Sequence, residues 1–240
     1  VGFAAARFGK YDKAIAYLDT AATLIPDTAE VYLTRANVKY ALKDAAGAKT
    51  DLDKAIELNG KMTQAYFDRG VLALQSNDLD SADKDFKKAV ALDKNKANAN
   101  LAIGMAYART PNFALAIPYL SKSIELQPHA QAYFIRADVY TANKEYAKAI
   151  ADCDKAIGLD SNFFPAYLQR GAAHFRAGSA DKALADFSKA VELNPNAAIA
   201  HMNRGYANAQ LGKKDAAKAD FKKAAELDKN LAQSIPAEYK

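Results

Sequence analysis

The sequence predicts an all-α solenoid of short helical hairpins, and three observations carry that expectation. Small residues recur in columns about 34 residues apart, apolar residues inside each period fall on helical spacing, and the composition is rich in Ala but poor in Gly and Pro. The first column is Ala14, Ala48, Ala82, Ala116, Ala149, Ala183 and Ala217, in steps of 34, 34, 34, 33, 34 and 34 residues. A second column in the same register is Ala21, Ala55, Ala89, Ser123, Ala156, Ala190 and Ala224. A third holds Gly or Ala: Gly2, Ala36, Gly70, Gly104, Ala137, Gly171 and Gly205. Even with 54 alanines in 240 residues, three columns agreeing in one register are not an accident of composition.

The columns divide the chain into a partial repeat over 1–28, six full repeats over 29–62, 63–96, 97–129, 130–163, 164–197 and 198–231, and a short tail over 232–240. The partial repeat closes near Pro26, which cannot continue a helix. The second full repeat shows the pattern of each unit. Gln64 to Gln75 has a helical apolar period, Asn77-Asp78 breaks it, and Asp80 to Leu92 resumes it with Ala82, Phe86, Ala89 and Leu92 on one face. Gly or Ala in a column lets two helix axes approach, and Leu52, Phe86, Phe187 and Phe221 fill the space beside them. The third full repeat departs from the pattern. It has an Asn98–Asn100 entry, Thr110-Pro111 at its turn, Pro118 inside its second helix and a one-residue deletion near Pro128-His129. Pro118 should kink that helix and change the local curvature. One hairpin cannot bury its own apolar face, so the units must stack.

An ion pair is written into the period. Arg stands sixteen residues before Asp in five units: Arg35/Asp51, Arg69/Asp85, Arg136/Asp152, Arg170/Asp186 and Arg204/Asp220. The third full repeat replaces both together, with Ile103 and Tyr119, as the partial one does with Val1 and Tyr17. Joint loss predicts a bidentate, partly buried pair inside each unit.

Several function classes find no support. No apolar run approaches the roughly 18 residues of a membrane span. The charge of +5 comes from 33 basic and 28 acidic residues finely interspersed, so lysine runs such as Lys213, Lys214, Lys218, Lys222 and Lys223 read as solvated surface rather than a nucleic-acid footprint. His129, His174 and His201 stand apart without metal-ligand spacing, and Cys153 falls in a bulky core column. In the pairs Asp51/Asp53, Asp83/Asp85 and Asp152/Asp154, residues i and i+2 of a helix point apart and cannot share a metal or a proton. No phosphate loop or nucleophile–base arrangement is present, so neither enzyme activity nor a cofactor is expected. One Cys and no targeting segment leave the compartment open.

A 34-residue helix-turn-helix with Tyr66, Gly70, Ala82, Phe86, Ala89 and Leu92, and with Pro195 closing a later unit, resembles the tetratricopeptide repeat (TPR). The resemblance covers nearly the whole chain, with Asn100 in a Tyr/His column and Gly60, Lys94, Ser161 and Lys229 replacing the usual loop Pro. It implies a right-handed superhelix whose first helices line a concave groove. The groove would start at Leu33, Phe67, Leu101, Phe134, Leu168 and Met202. It would continue one turn on at Asn37, Val71, Met105, Asp138, Ala172 and Tyr206, and another turn on at Tyr40, Leu74, Ala108, Thr141, Phe175 and Ala209. Asp68, Asn203, Arg109 and Arg176 would be its polar points.

The first of these columns lacks the basic residues with which related domains clamp a chaperone's C-terminal carboxylate. An amphipathic helix or an extended peptide with apolar residues is the better fit, although the same column could instead pack between adjacent first helices. The implied function is a non-catalytic scaffold or adaptor in a larger assembly. A homo-oligomerising scaffold and the regulatory arm of an enzyme whose catalytic domain lies outside this chain are the alternatives. Both ends look uncapped, with Val1 entering midway through a first helix and little following Leu231. The sequence therefore suggests a piece of a longer array, or an end that docks on another chain.

Overall fold

The structure is a computed structural model and describes residues 11–239. Among these are thirteen α-helices, two short 3₁₀ segments and no strand. Helix α1 (Tyr11–Leu24) is the second helix of the partial repeat. The six full repeats follow as pairs: α2 (Ala29–Ala41) with α3 (Ala45–Leu58), α4 (Thr63–Gln75) with α5 (Leu79–Leu92), α6 (Lys96–Ala108) with α7 (Phe113–Leu126), α8 (Ala130–Ala142) with α9 (Tyr146–Leu159), α10 (Phe164–Arg176) with α11 (Ala180–Leu193), and α12 (Ala198–Gln210) with α13 (Lys214–Leu227). Val1 and Gly2, and the expectation that the chain enters within a first helix, lie outside the described residues.

Packing divides the chain into two compact units, residues 1–106 and 107–240. The division falls inside α6, within the repeat that departs from the sequence pattern. In the first unit Ala14, Leu18, Val31 and Val38 form one buried cluster. Tyr32, Ala36, Ala48, Leu52, Ala55, Ala65 and Leu72 form the next. In the second unit Ala137, Ala149, Cys153 and Ala173 pack together, and Ala183, Phe187 and Ala207 repeat the arrangement one hairpin on.

The small columns do what close helix crossing requires. A Cβ at Gly70 would sit 2.7 Å from the Phe86 ring, and one at Gly171 would sit 2.6 Å from Phe187. Where the column holds Ala, the residue sixteen positions on is smaller: Leu52 behind Ala36 and Cys153 behind Ala137. Gly opposite Phe and Ala opposite Leu thus fill a crossing to nearly the same volume.

Most hairpin turns share one geometry. Lys43, Asn77, Lys144, Gly178 and Gly212 have φ between 60° and 82°, the left-handed region that closes a helix C-terminus. Each lets the following N–H reach five residues back, as Asp44 N–H does to the Lys39 carbonyl at 2.9 Å. The third full repeat has Pro111 in that column, and a pyrrolidine ring cannot take positive φ. Its turn is closed by a side chain instead: the Thr110 hydroxyl donates to the Tyr107 carbonyl at 2.8 Å and accepts from Asn112 N–H at 3.2 Å. Helix α7 runs through Pro118 without interruption.

The ion pairs form inside each unit, as their joint loss predicts. Arg35 grips Asp51 through Nε at 2.8 Å and Nη2 at 2.6 Å, and Arg69, Arg136, Arg170 and Arg204 grip their partners the same way. All five aspartates are buried. The spacing left a second contact unread. Nη1 of Arg35, Arg69 and Arg170 also reaches Asp19, Asp53 and Asp154 on the preceding second helix at 2.9, 2.7 and 2.6 Å, and Arg136 reaches Ser121 at 2.8 Å. Arg35, Arg69, Arg136 and Arg170 therefore each tie two successive hairpins. Residues i and i+2 point apart, so Asp51 turns inward to its own unit's Arg while Asp53 faces the next one. The Tyr column completes the site, with Arg35, Arg69, Arg136 and Arg170 lying over Tyr32, Tyr66, Tyr133 and Tyr167 at 5.4 to 5.7 Å. In the third full repeat Ile103 is fully buried, and Tyr119 stacks on Tyr107 with centroids 5.7 Å apart.

The C-terminal end is not bare, which corrects the expectation of an uncapped hairpin. Residues Lys229–Ser234 and Ala237–Tyr239 form 3₁₀ segments folded onto α12 and α13. Ile235 is buried against Met202 and Phe221, Tyr239 packs on the Phe221 ring at 5.3 Å, and the Tyr206 hydroxyl donates to the Ser234 carbonyl. Two apolar side chains in a short polar tail suffice to cover the last hairpin.

Candidate partner-binding surface

The first helices α2 and α4 lie side by side in the first unit. Of their expected groove residues, Leu33 is half-buried against the Tyr32–Leu72 cluster, and Phe67 lies against Phe86 with centroids 5.8 Å apart. These side chains serve packing between hairpins as much as surface, the alternative left open by the sequence. One and two turns further on the surface opens. Asn37 and Tyr40 are exposed and Val71 is half-buried. With Asp68 they line a hollow floored by Ala36, Ala48, Leu52 and Leu72. The Tyr40 hydroxyl accepts a hydrogen bond from Gln75 at one side of the hollow. On α6, Leu101 and Met105 are half-buried.

In the second unit α8, α10 and α12 are successive neighbours. Arg109 and Asp138 are exposed, while Phe134 is half-buried and meets Phe163 edge-on at 5.6 Å. Leu168 packs into the core on both sides of α10. Phe175, Arg176, Asn203 and Tyr206 come together with Ala172 around a hollow of about 270 Å³ over Phe187. Three residues expected on the first-helix surface are not on it, counting Leu74 of α4, which is 5% exposed. Met202 is 2% exposed because Ile235 of the tail covers it. Thr141 is 4% exposed, its hydroxyl donating to the Ala137 carbonyl and accepting from Gln169.

Gln75 and Gln169 went unread in the sequence, although both bridge neighbouring first helices. Gln169 Nε2 donates to Asp138 Oδ1 at 3.2 Å and to Thr141 Oγ1 at 3.0 Å. Gln169 shares its column with Asp68 and Asn203, and Gln75 shares its column with Arg109 and Arg176, so the period itself pointed to both positions.

Cys153 is buried, and His129 and His201 close loops. Burial pushes the Cys153 thiol up to about 12, so it stays protonated at neutral pH. Burial lowers His129 and His174, favouring their neutral forms. His129 Nδ1 accepts from the Ala132 N–H at the start of α8. His201 closes the loop before α12 by donating Nε2–H to the Pro195 carbonyl at 2.9 Å, as Tyr167 does to the Ser161 carbonyl at 3.1 Å. Among the described residues no cluster of three His, Cys, Asp or Glu could hold a metal, and no helix is long and apolar enough to cross a membrane.

Stacked helical hairpins that leave one row of first-helix side chains free of the core make up a helical-repeat scaffold for protein–protein interaction. The comparisons with known proteins agree. Models described as tetratricopeptide repeat match residues 33–99, 67–130, 101–162 and 198–231, and one described as TPR repeat matches 175–212. The chain belongs to the tetratricopeptide repeat family.

Its relatives include the human Tetratricopeptide repeat protein 36, 36% identical over 120 residues that span 48% of this chain and 63% of that protein. Bovine DnaJ homolog subfamily C member 3 is 28% identical over 169 residues, 64% of this chain and 34% of that one. The chain thus spans less than two thirds of the length of these curated relatives. Among solved structures, MamA protein superposes with a TM-score of 0.61 at 29% identity, covering 74% of this chain and 98% of that one. The C-terminal part of a TPR repeat-containing protein from Cytophaga hutchinsonii superposes with a TM-score of 0.73 at 21% identity, over 98% of each chain.

Proposed function

We propose that the chain is a non-catalytic adaptor and that the first-helix surfaces bind a segment of a partner protein, as an extended peptide or an amphipathic helix, within a larger assembly. One observation carries this reading. Side chains that the fold leaves exposed or half-buried, among them Asn37, Tyr40, Val71, Phe175, Arg176 and Tyr206, gather at two hollows on first helices. A mixed apolar and polar lining with exposed aromatic edges suits recognition of side chains from a peptide or helix. The second helices carry lysines such as Lys87 and Lys122, each paired with an acidic neighbour one turn away, which is the pattern of a solvated face.

The test is capture of partners with the parent chain beside Tyr40→Ser, Arg176→Glu and, on a second helix, Lys87→Glu. All three positions are exposed, so the fold should persist, as circular dichroism would verify. The reading expects a partner lost by Tyr40→Ser or Arg176→Glu and kept by Lys87→Glu. Loss through Lys87→Glu alone would place recognition on the second helices and refute it.

A further inference from the structure

The hollow between α2 and α4 holds a carboxylate unlike the other buried ones. Asp51, Asp85, Asp152, Asp186 and Asp220 each face an Arg at hydrogen-bond distance. Asp68 has amides instead. Gln64 Nε2 donates to Oδ1 at 2.7 Å and the Asn37 side chain contributes a further donor, while the buried Oδ2 accepts no hydrogen bond. The adjacent Arg69 cannot serve, because its guanidinium is committed to Asp85 and Asp53.

A buried carboxylate has four acceptor sites and a large desolvation cost when it lacks a counter-charge. Burial accordingly pushes the Asp68 carboxyl up to about 6, which still leaves it mainly ionised at pH 7.5. Around it the hollow offers an aromatic edge at Tyr40 and aliphatic surface at Val71, and both Asn37 and Tyr40 stand exposed at its mouth. The hollow holds only about 40 Å³, room for a cationic head beside the carboxylate, so the methylene stem of a long cationic side chain would lie across the mouth on Tyr40 and Val71.

We propose that this hollow receives a lysine or arginine side chain from the bound partner segment, its stem lying against Tyr40 and Val71 and its cation meeting Asp68. The inference rests on the reading of the first-helix surface as the binding face and adds the chemistry of the partner. A segment presenting a carboxylate here would meet like charge and be rejected.

A random peptide library displayed on phage tests it, selected in parallel on the parent chain and on Asp68→Asn at pH 7.5. Asn keeps the shape of Asp, and circular dichroism verifies the fold. The parent should enrich peptides with Lys or Arg at one fixed position. Synthetic copies should bind Asp68→Asn at least about tenfold more weakly, in line with loss of a desolvated charge pair. Replacing that Lys by norleucine should cost the parent the same factor and cost Asp68→Asn nothing more. If both chains select the same sequences, or no basic position emerges, the inference falls while the binding face stands. If neither chain selects any peptide, the binding-face reading falls and takes the inference with it.

Discussion

The α2–α4 junction in the first unit and the α8–α10 junction in the second use the same contact in opposite order. In the first, the amide is Asn37 on the earlier helix and the acid is Asp68 on the later one. In the second, the acid is Asp138 on the earlier helix and the amide is Gln169, again 31 residues on. The exchange decides hydration. Asp138 stays exposed and shares the Gln169 donor with Thr141, whereas Asp68 is drawn into the hollow with one oxygen unsatisfied. The repeat therefore fixes which positions meet, and the side that carries the charge fixes how the acid is hydrated.

The largest expected effect comes from breaking the ladder that keeps these junctions in register. Arg69→Ala would strand Asp85 as an uncompensated buried charge and release Asp53. It should cost about 3–5 kcal/mol in urea denaturation, and Arg136→Ala in the second unit should cost a similar amount. A loss below about 1 kcal/mol for either would mean that the ladder does not hold its junction.

Moving α4 against α5 sharpens the comparison from the packing side. Gly70→Ala pushes a methyl group into the Phe86 ring and should cost about 1–3 kcal/mol. Adding Phe86→Leu should recover much of that, because Ala36 and Leu52 already form that pair one repeat earlier.

The buried acid should then give the first unit a pH response. The folded-state value for Asp68 is raised, so the unfolded chain releases this proton first. Stability is lost as pH rises from about 4 to above 6. Asp68→Asn should therefore stabilise the chain by about 2 kcal/mol at pH 7.5 and by little at pH 4. An effect of the same size at both pH values in thermal melts would contradict this. The smallest effect belongs to the hairpin turns. Lys43→Gly and Lys144→Gly relieve positive φ next to each junction and should each add about 1 kcal/mol, read from the urea midpoint.

The sequence displays this architecture because stacking imposes it at every period. The Ala and Gly columns, the Arg–Asp spacing and the turn residues are each repeated, so an exception such as Pro111 is visible against the others. The second contact of Arg35, Arg69 and Arg170, to Asp19, Asp53 and Asp154, was hidden because one spacing already explained the charge. The covering of the last hairpin by Ile235 and Tyr239 was hidden because it occurs once. The exposed first-helix surface was legible in part. Asn37, Tyr40, Val71, Phe175, Arg176 and Tyr206 line hollows, whereas Leu33, Phe67, Leu168 and Met202 share the apolar character that packing between hairpins also demands. Composition does not separate those two uses, and burial does.

The most direct test of the binding face is photo-crosslinking of a library-selected peptide carrying benzophenone, with the adducts mapped by mass spectrometry. Adducts on first-helix residues such as Tyr40, Val71, Phe175 or Tyr206 are the predicted result. Adducts confined to second helices, at Lys87, Lys122 or Lys155, would contradict it.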